Sequence, residues 1–396
     1  MRFLRVRHIV TITQTPSNDY PDRNKVLTLT FLTSYSASST WQNLSDSGSL
    51  VLPKNLYYRD AFGKPQPLSG KNINAGGFGS VPLFMRGDSV TIKWGYSYQD
   101  ERGATITEMY DVFQGFIFKV KPGLSVEFEL KDNMFKLMQK PLKPKHFGAS
   151  DTLESILQYI TEGTGFTVNL LQTTKIGPFT IGHETPAQVL QRLQRDQGLE
   201  SYFRGDELRC GALIYIEDEA QTHVFHFEKN IIESDLEYRR KDDIKMSAIA
   251  HNTITVDGSG TTQDGQTKKK KKRIQALVEM LPNPAAGESE YTVTDVSDGH
   301  APENVEGERR TFFFPGAKSI DELGELAYNQ LKKYYYNGLK GTFRTFGIPR
   351  VKHGDNVKLI HPRLPEYNGV YKVKQVDDES QNGLRQIIEL DYKINT

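Results

Sequence analysis

The chain has 396 residues, more than a single hydrophobic core usually organises, so two or three domains are expected. Its 50 Lys and Arg nearly cancel 49 Asp and Glu, which excludes a global field drawing it to nucleic acid or an anionic membrane and makes partners a matter of local patches. Cys210 is the only cysteine, which excludes an intramolecular disulfide framework and a cysteine zinc cluster and fits folding in a reducing cytoplasm.

Aromatic residues make up 11% of the chain, mostly Tyr and Phe, and with Val, Ile and Thr they suit half-buried strand faces. From Met1 the segment Arg-Phe-Leu-Arg-Val-Arg-His-Ile-Val-Thr-Ile-Thr alternates as a strand and lacks the apolar core of a signal peptide. No stretch approaches the roughly 18 apolar residues of a spanning helix, so neither membrane crossing nor export by the standard signal route is expected. Further strands are expected at Val26–Leu32, Val90–Trp94, Phe113–Val120 and Val126–Leu130, with no helix before Leu142. Gly63–Pro82 reads as a long exposed loop. Its Gly76-Gly77-Phe78-Gly79 lacks the Lys-Ser/Thr ending of a nucleotide loop.

The pattern changes after Pro141-Leu-Lys-Pro144. Asp151 is placed to cap a helix carrying Leu153, Ile156, Leu157 and Ile160, stopped by Gly163 and Gly165, and the strand Phe166–Leu170 follows. Thr185-Pro186 opens a second helix with Val189, Leu190 and Leu193, closed by Gly198 and followed by a hairpin, Glu200–Phe203 and Leu208–Arg209, turning at Gly205-Asp206. Strands return at His223–Phe227, Met246–Ile249 and Thr253–Val256. A hairpin tip, Gly258 to Gly265, then turns basic at Lys268, Lys269, Lys270, Lys271, Lys272 and Arg273. Pro282–Val305 is Pro, Gly and Asp rich, with a short strand at Tyr291–Val293. Ser319-Ile-Asp-Glu322 reads as a capping box for a helix with Ile320, Leu323, Ala327, Leu331 and Tyr334, ending at Asn337-Gly338.

One unit recurs. Gly87-Asp88-Ser-Val90-Thr-Ile92 is matched by Gly354-Asp355-Asn-Val357-Lys-Leu359, each a strand entered through a Gly-Asp turn. The first is followed by Gly115–Val120 and Val126–Leu130, the second by Gly369–Val373 and Ile388–Leu390, with Gly115 and Gly369 read as further turn positions of the repeat. We therefore expect a mainly β chain with two antiparallel barrel-like domains, 1–145 and 215–396, around a small α+β insertion, 146–214.

Asp111-Val-Phe-Gln-Gly-Phe116 with Leu130-Lys-Asp132, Thr185-Pro-Ala-Gln-Val-Leu190 with Gly198-Leu-Glu-Ser-Tyr-Phe203, and Gly354-Asp-Asn-Val357 with Gly369-Val-Tyr371 resemble the baseplate hub proteins of phage tails. That group includes the late control D hubs and the N-terminal part of type VI secretion spikes. The resemblance implies a homotrimer whose two tube-like barrels per subunit form a pseudo-sixfold ring between a hexameric tail tube and a trimeric spike. It also implies a site in the virion tail baseplate, assembly in the host cytoplasm, and tail tube, other baseplate subunits and DNA in transit as partners. The chain stops soon after the second copy, so the spike is expected to be a separate protein. The hub of a type VI-like or other contractile injection system has the same expected architecture. A reading from another class is a carbohydrate-binding or hydrolytic tail component, for which the aromatic-bearing segment Tyr57–Phe84 would be the platform.

Catalysis, metal and cofactor have no positive signal. His223 and His226, three apart on a strand, point to opposite faces. Asp377-Asp378-Glu379 reads as a solvated hairpin turn, and neither Gly-x-Ser-x-Gly nor His-Glu-x-x-His occurs. The run Lys268–Arg273 is the one polyanion or partner contact the sequence offers, since clustered cations release counterions from phosphate; a solvated charged tip is the plainer reading.

Overall fold

The computed structural model describes residues 4–53, 56–59, 64–68, 82–121, 125–148, 150–171, 176, 178–211, 220–261, 267–281, 289–299, 307–314 and 317–394. Strands dominate, as their alternating burial requires: Val90, Ile92, Trp94 and Tyr96 all turn inward from one strand.

The N-terminal part runs β1 (Leu4–Thr13), β2 (Val26–Leu29), β3 (Ser34–Thr40), β4 (Ser47–Leu52), β5 (Leu56–Arg59), β6 (Pro65–Leu68), β7 (Ser89–Gln99), β8 (Thr105–Lys121) and β9 (Val126–Lys131). A short helix, α1 (Met134–Gln139), leads into β10 (Lys145–Phe147), α2 (Leu153–Thr161), β11 (Thr167–Leu170), β12 (Phe179–Ile181), α3 (Pro186–Gln197), β13 (Glu200–Arg204) and β14 (Glu207–Gly211). The remainder is β15 (Thr222–His226), β16 (Ile231–Arg239), β17 (Met246–Thr261), β18 (Thr267–Met280), β19 (Tyr291–Asp295), β20 (Glu308–Phe313), α4 (Ile320–Leu331), β21 (Gly338–Phe346), β22 (Asn356–Ile360), β23 (Gly369–Glu379) and β24 (Arg385–Ile394).

One large sheet carries both ends of the chain, in the order β16-β21-β24-β23-β3-β4-β9-β8-β7-β1-β2, with β22 and β15 branching from β23. It curls twice. Tyr35 on β3 and Trp94 on β7 are four strands apart, about 19 Å in a flat sheet, yet their rings meet edge to face at 6.0 Å. Phe343 on β21 and Phe225 on β15, also four strands apart, meet at 5.2 Å. Each curl encloses its own apolar cluster, around Trp94, Leu50, Ile117 and Phe128 in the first and around Val357, Tyr371, Val373 and Ile388 in the second.

The two curls are the same unit to the level of main-chain bonds. Ile117 exchanges hydrogen bonds with Gly87 N and Asp88 O, both at 2.9 Å; Val373 does so with Gly354 N and Asp355 O at 2.8 and 2.9 Å. Both strands then bulge, between Ile117 and Lys119 and between Val373 and Gln375, before pairing onward with Glu129 and Glu389. Each aspartate carboxylate caps the turn from within, accepting from Met85 N and from Lys352 N at 2.8 Å. Gly87 and Gly354 hold φ of +92° and +82°, a backbone that glycine adopts without strain. Following the ladders outward equates β9 with β24, β4 with β21 and β3 with β16. Gly48 and Gly341 then coincide, and a Cβ on either would crowd the carbonyl of the equated residues Ser36 and Asp235. The copies differ at one edge: β1 runs antiparallel to β7, whereas β15 runs parallel to β22.

Several expectations need correction. Gly115 and Gly369 are not turns but strand residues, and they are not equivalent; the shared bonds place Tyr371 opposite Gly115 in the repeat. A Cβ on Gly115 would lie 2.1 Å from Lys131 O, so close ladder approach is what requires glycine there. Asp377-Asp378-Glu379 is no solvated turn: it ends β23 and pairs with β3, and Asp378 is 2% exposed. The sequence pattern also missed α1. Thr152, not Asp151, caps α2, while Asp151 accepts from Gly148 N. Glu322 turns its carboxylate to Lys318 N, so the Ser319 box is one-sided, and the complete box is at Thr185 and Gln188. The segment holding Gly76–Gly79 lies outside the described residues, as does most of Tyr57–Phe84, although β5 and β6 pair as a hairpin.

Between β16 and β21, where the first copy has only a short turn, the second carries a further sheet, β19-β18-β17-β20, with α4 packed on it. The middle segment has a separate core built on Leu157, Ile160, Leu190 and Leu193.

Asp88 closes its turn against Arg23, whose guanidinium bonds both carboxylate oxygens at 2.8 and 2.6 Å with neither side chain more than 1% exposed. In the second copy Asp355 faces His223 at 3.2 Å in a less enclosed setting. Asp88→Ala strands a buried guanidinium, so we expect a loss of about 3–5 kcal/mol in urea unfolding. The Asp355 pair is less enclosed, so the loss from Asp355→Ala should be clearly smaller; equal losses would contradict this assignment.

Candidate functional site: the joint between the two copies

The second copy joins the first through a ladder of backbone pairs. β23 pairs with β22 from Gly369 to Lys372, passes its bulge, and then pairs with β3 from Gln375↔Thr40 to Glu379↔Ser36. Small β3 side chains, Ser36, Ala37, Ser38 and Ser39, let the strand approach; the acidic end of β23 supplies the other side.

A cleft of about 520 Å³ opens beside this ladder, bounded by Asp46, Asp132, Arg204, Arg350, His353 and Asp378. Both copies and the middle segment contribute. Arg350 grips Asp378 in a two-pronged pair at 2.5 and 2.8 Å and also reaches Gln386 Oε1 at 2.9 Å. Arg204, at the end of β13, donates to the carbonyl oxygen of His353. Gln114 and Asn133 both donate to Asp206 Oδ1, at 2.9 and 3.0 Å, tying the middle hairpin to the first copy.

At its floor Ser39 Oγ lies 2.6 Å from Asp46 Oδ2 and 2.9 Å from His353 Nδ1, and Ser45 donates to Asp132 Oδ1 at 2.8 Å. Loss of hydration and the nearby Asp132 raise the half-buried Asp46 carboxyl to about 8; burial raises Asp132 to about 6. Burial likewise lifts Asp378 to about 6 against the pull of Arg350. His353 is held neutral, far below the usual imidazole range, by burial and then by Arg204, Lys352, Arg209 and Arg350.

The chemistry follows from the order of these groups. In a nucleophilic triad the imidazole stands between hydroxyl and carboxylate and takes the hydroxyl proton. Here the hydroxyl stands between the other two, so Ser39 has no relay behind it. The cluster is a hydrogen-bonded seam that locks one copy to the other.

The basic run is a strand, not a tip. Lys269, Lys270, Lys271, Lys272 and Arg273 pair in register with Asp257, Val256, Thr255, Ile254 and Thr253, because β-branched partners extend the ladder past the point where the core ends. Lys270, Lys272 and Arg273 are exposed, while Ile274, two residues beyond Lys272 on the same face, is buried against the α4 side. Lys268 lies in the same strand. His223 faces Asp355, and the backbone N–H of His226 donates to Asn230 Oδ1. The joint itself escaped sequence reading; the single signal for it was an acidic triplet at the end of a strand, which solvation explains equally well.

A carboxyl with a raised folded pKa keeps a proton that the unfolded chain releases near pH 4, so its contribution to stability falls as pH rises from there to the folded value. For Asp46 the window ends at about pH 8. Asp46→Asn should flatten the decline in urea midpoint between pH 5 and pH 8 relative to the parent chain; parallel pH profiles would contradict the assignment.

No protein-family model matches the chain, and no curated protein matches it in sequence. Solved structures do match in fold. The tail protein from Neisseria meningitidis MC58 aligns with a TM-score of 0.53 and 13% identity over 98% of this chain and 97% of that one. The 43 kDa tail protein of prophage MuSo2 from Shewanella oneidensis gives 0.50 and 11% over 98% of both. The half-lidded Francisella PdpA-VgrG complex gives 0.50 and 7%, over 99% of this chain and 59% of that one. The fold of this chain is thus the one seen in phage tail and VgrG-type proteins.

Proposed function

We propose that a chain with this fold serves as the structural hub of a phage tail baseplate, a homotrimeric adaptor between a hexameric tail tube and a trimeric spike. The observation that carries the reading is the pair of equivalent curled sheets already joined edge to edge: three chains present six similar units. A ring of them satisfies strand edges that would otherwise stay open, and cyclic symmetry closes the assembly. Function on this reading lies in surfaces. The tube seats on one rim, the spike and other baseplate subunits on the other, and the ring encloses part of the DNA-delivery channel without catalysing a reaction.

The likeness to a VgrG complex supports a second reading, the hub of a type VI-like or other contractile injection system, with the same ring and a different cargo. Solution mass by light scattering, with negative-stain images of the same peak, tests both: we expect three chains in a ring with a central opening, and a monomer across the accessible concentration range would count against either.

The basic ribbon of β17 and β18 is the proposed DNA contact. Replacing Lys270, Lys272 and Arg273 by Gln removes three exposed cations. If they meet phosphate, the slope of log affinity for duplex DNA against log salt should fall by about 2–3, at roughly 0.9 per contact. An unchanged slope with unchanged assembly would return the ribbon to a solvated arm.

A further inference from the structure

The joint inside the chain specifies a second joint between chains. β23 continues past its bulge to pair with β3. Its equivalent, β8, also continues past its bulge, but from Lys119 to Lys121 it pairs only with β9, and among the described residues no strand covers its other side. The equivalent of β3 is β16, which pairs with β21 and ends the sheet. Each copy thus has one half of the joint satisfied, β3 in the first and β23 in the second, and leaves the matching half open, β8 in the first and β16 in the second.

Burial tells the same story. Val376 in the made joint is 1% exposed, while its equivalent Val120 is only half-buried. Ala37 is buried, while its equivalent Leu236 is half-buried. Ile232, near the start of β16, is 39% exposed.

We propose, resting on the ring reading above, that β16 of one chain pairs antiparallel with the Lys119–Lys121 edge of β8 in the next, in the register that β3 and β23 adopt within the chain. Copying that register equates Gln375↔Thr40 with Lys119↔Arg239, Val376↔Ser39 with Val120↔Tyr238, and Asp377↔Ser38 with Lys121↔Glu237. The charges suit it. β16 carries Glu233, Asp235 and Glu237, and β8 brings Lys119 and Lys121; Arg239, the one cation opposite a lysine, already faces Glu308 at 3.3 Å in its own chain. Val120 and Tyr238 form an aliphatic-aromatic cross-strand pair of the kind that stabilises ladders. The partner is therefore a second copy of this chain. Three such contacts close a ring in which chain-internal and chain-to-chain joints alternate.

Disulfide trapping tests the register, because directly paired antiparallel residues lie within bridging distance. The double variant Lys121→Cys/Glu237→Cys should yield covalent trimers on a non-reducing gel, with neither single variant doing so. The corresponding pair within the chain, Ser38→Cys/Asp377→Cys, should close inside one chain and calibrates the geometry. If the internal pair closes and the protein is trimeric but Lys121→Cys/Glu237→Cys stays unlinked, this register is overturned and the hub reading stands. A monomer with no link between chains overturns both. Should the cysteine variant misfold, charge exchange replaces it: Lys121→Glu, opposite Glu237 in this register, should raise the concentration at half-dissociation of the trimer about 2–5-fold per contact, and adding Glu237→Lys should restore it. No change in dissociation, or no rescue, contradicts the pairing.

Discussion

A β-strand edge is a row of unpaired amides and carbonyls, and a folded chain has to cover it or guard it. In this molecule that constraint sets the architecture. β23 lengthens beyond its own hairpin and lays its last five residues against β3, fusing two curled sheets into one. The side chains around the fusion are selected for close approach and for burial with partners: serines and an alanine on β3, and Asp378 clamped by Arg350 on β23. Breaking such an enclosed pair by removing one partner costs several kcal/mol, so the seam holds the two sheets in one relative orientation. Every property proposed for the protein as a ring component descends from that fixed orientation.

The repeat was legible because its turns are chemically demanding. A Gly-Asp turn needs a residue at positive φ and a carboxylate that caps the preceding amide, and both copies show those features in the sequence as well as in space. Where the sequence match leaned on glycine alone, as between Gly115 and Gly369, it slipped, because Gly115 is set by contact with a neighbouring strand rather than by a turn. The correspondence of β3 with β16 and of β4 with β21 was invisible. A whole sheet and α4 stand between β16 and β21, and the strands share burial rhythm rather than residue types.

Charge misled the reading in two places for one reason. Asp377-Asp378-Glu379 and Lys268–Arg273 both look like solvated turns when neighbours in space are unknown. Asp378 is a strand residue because Arg350, 28 positions away, neutralises it; the lysines are strand residues because Thr253, Ile254 and Val256 extend a ladder under them. Their chemistry also differs from what composition suggests. At the joint, burial and carboxylate proximity raise the Asp46 carboxyl, and burial, then the four cations around it, hold His353 neutral. These groups join surfaces, and the order hydroxyl between imidazole and carboxylate keeps them from forming a nucleophilic relay.

The central claim is that one chain supplies two equivalent ring units in a fixed relation. The most direct measurement is a single-particle electron microscopy reconstruction of the purified assembly computed without imposed symmetry. The account predicts a threefold particle whose inner wall consists of six curled sheets at closely similar radius, with chain-internal and chain-to-chain strand joints alternating around it. A particle in which the two sheets of each chain lie at different radii, or in which neighbouring chains meet away from β8 and β16, would contradict it.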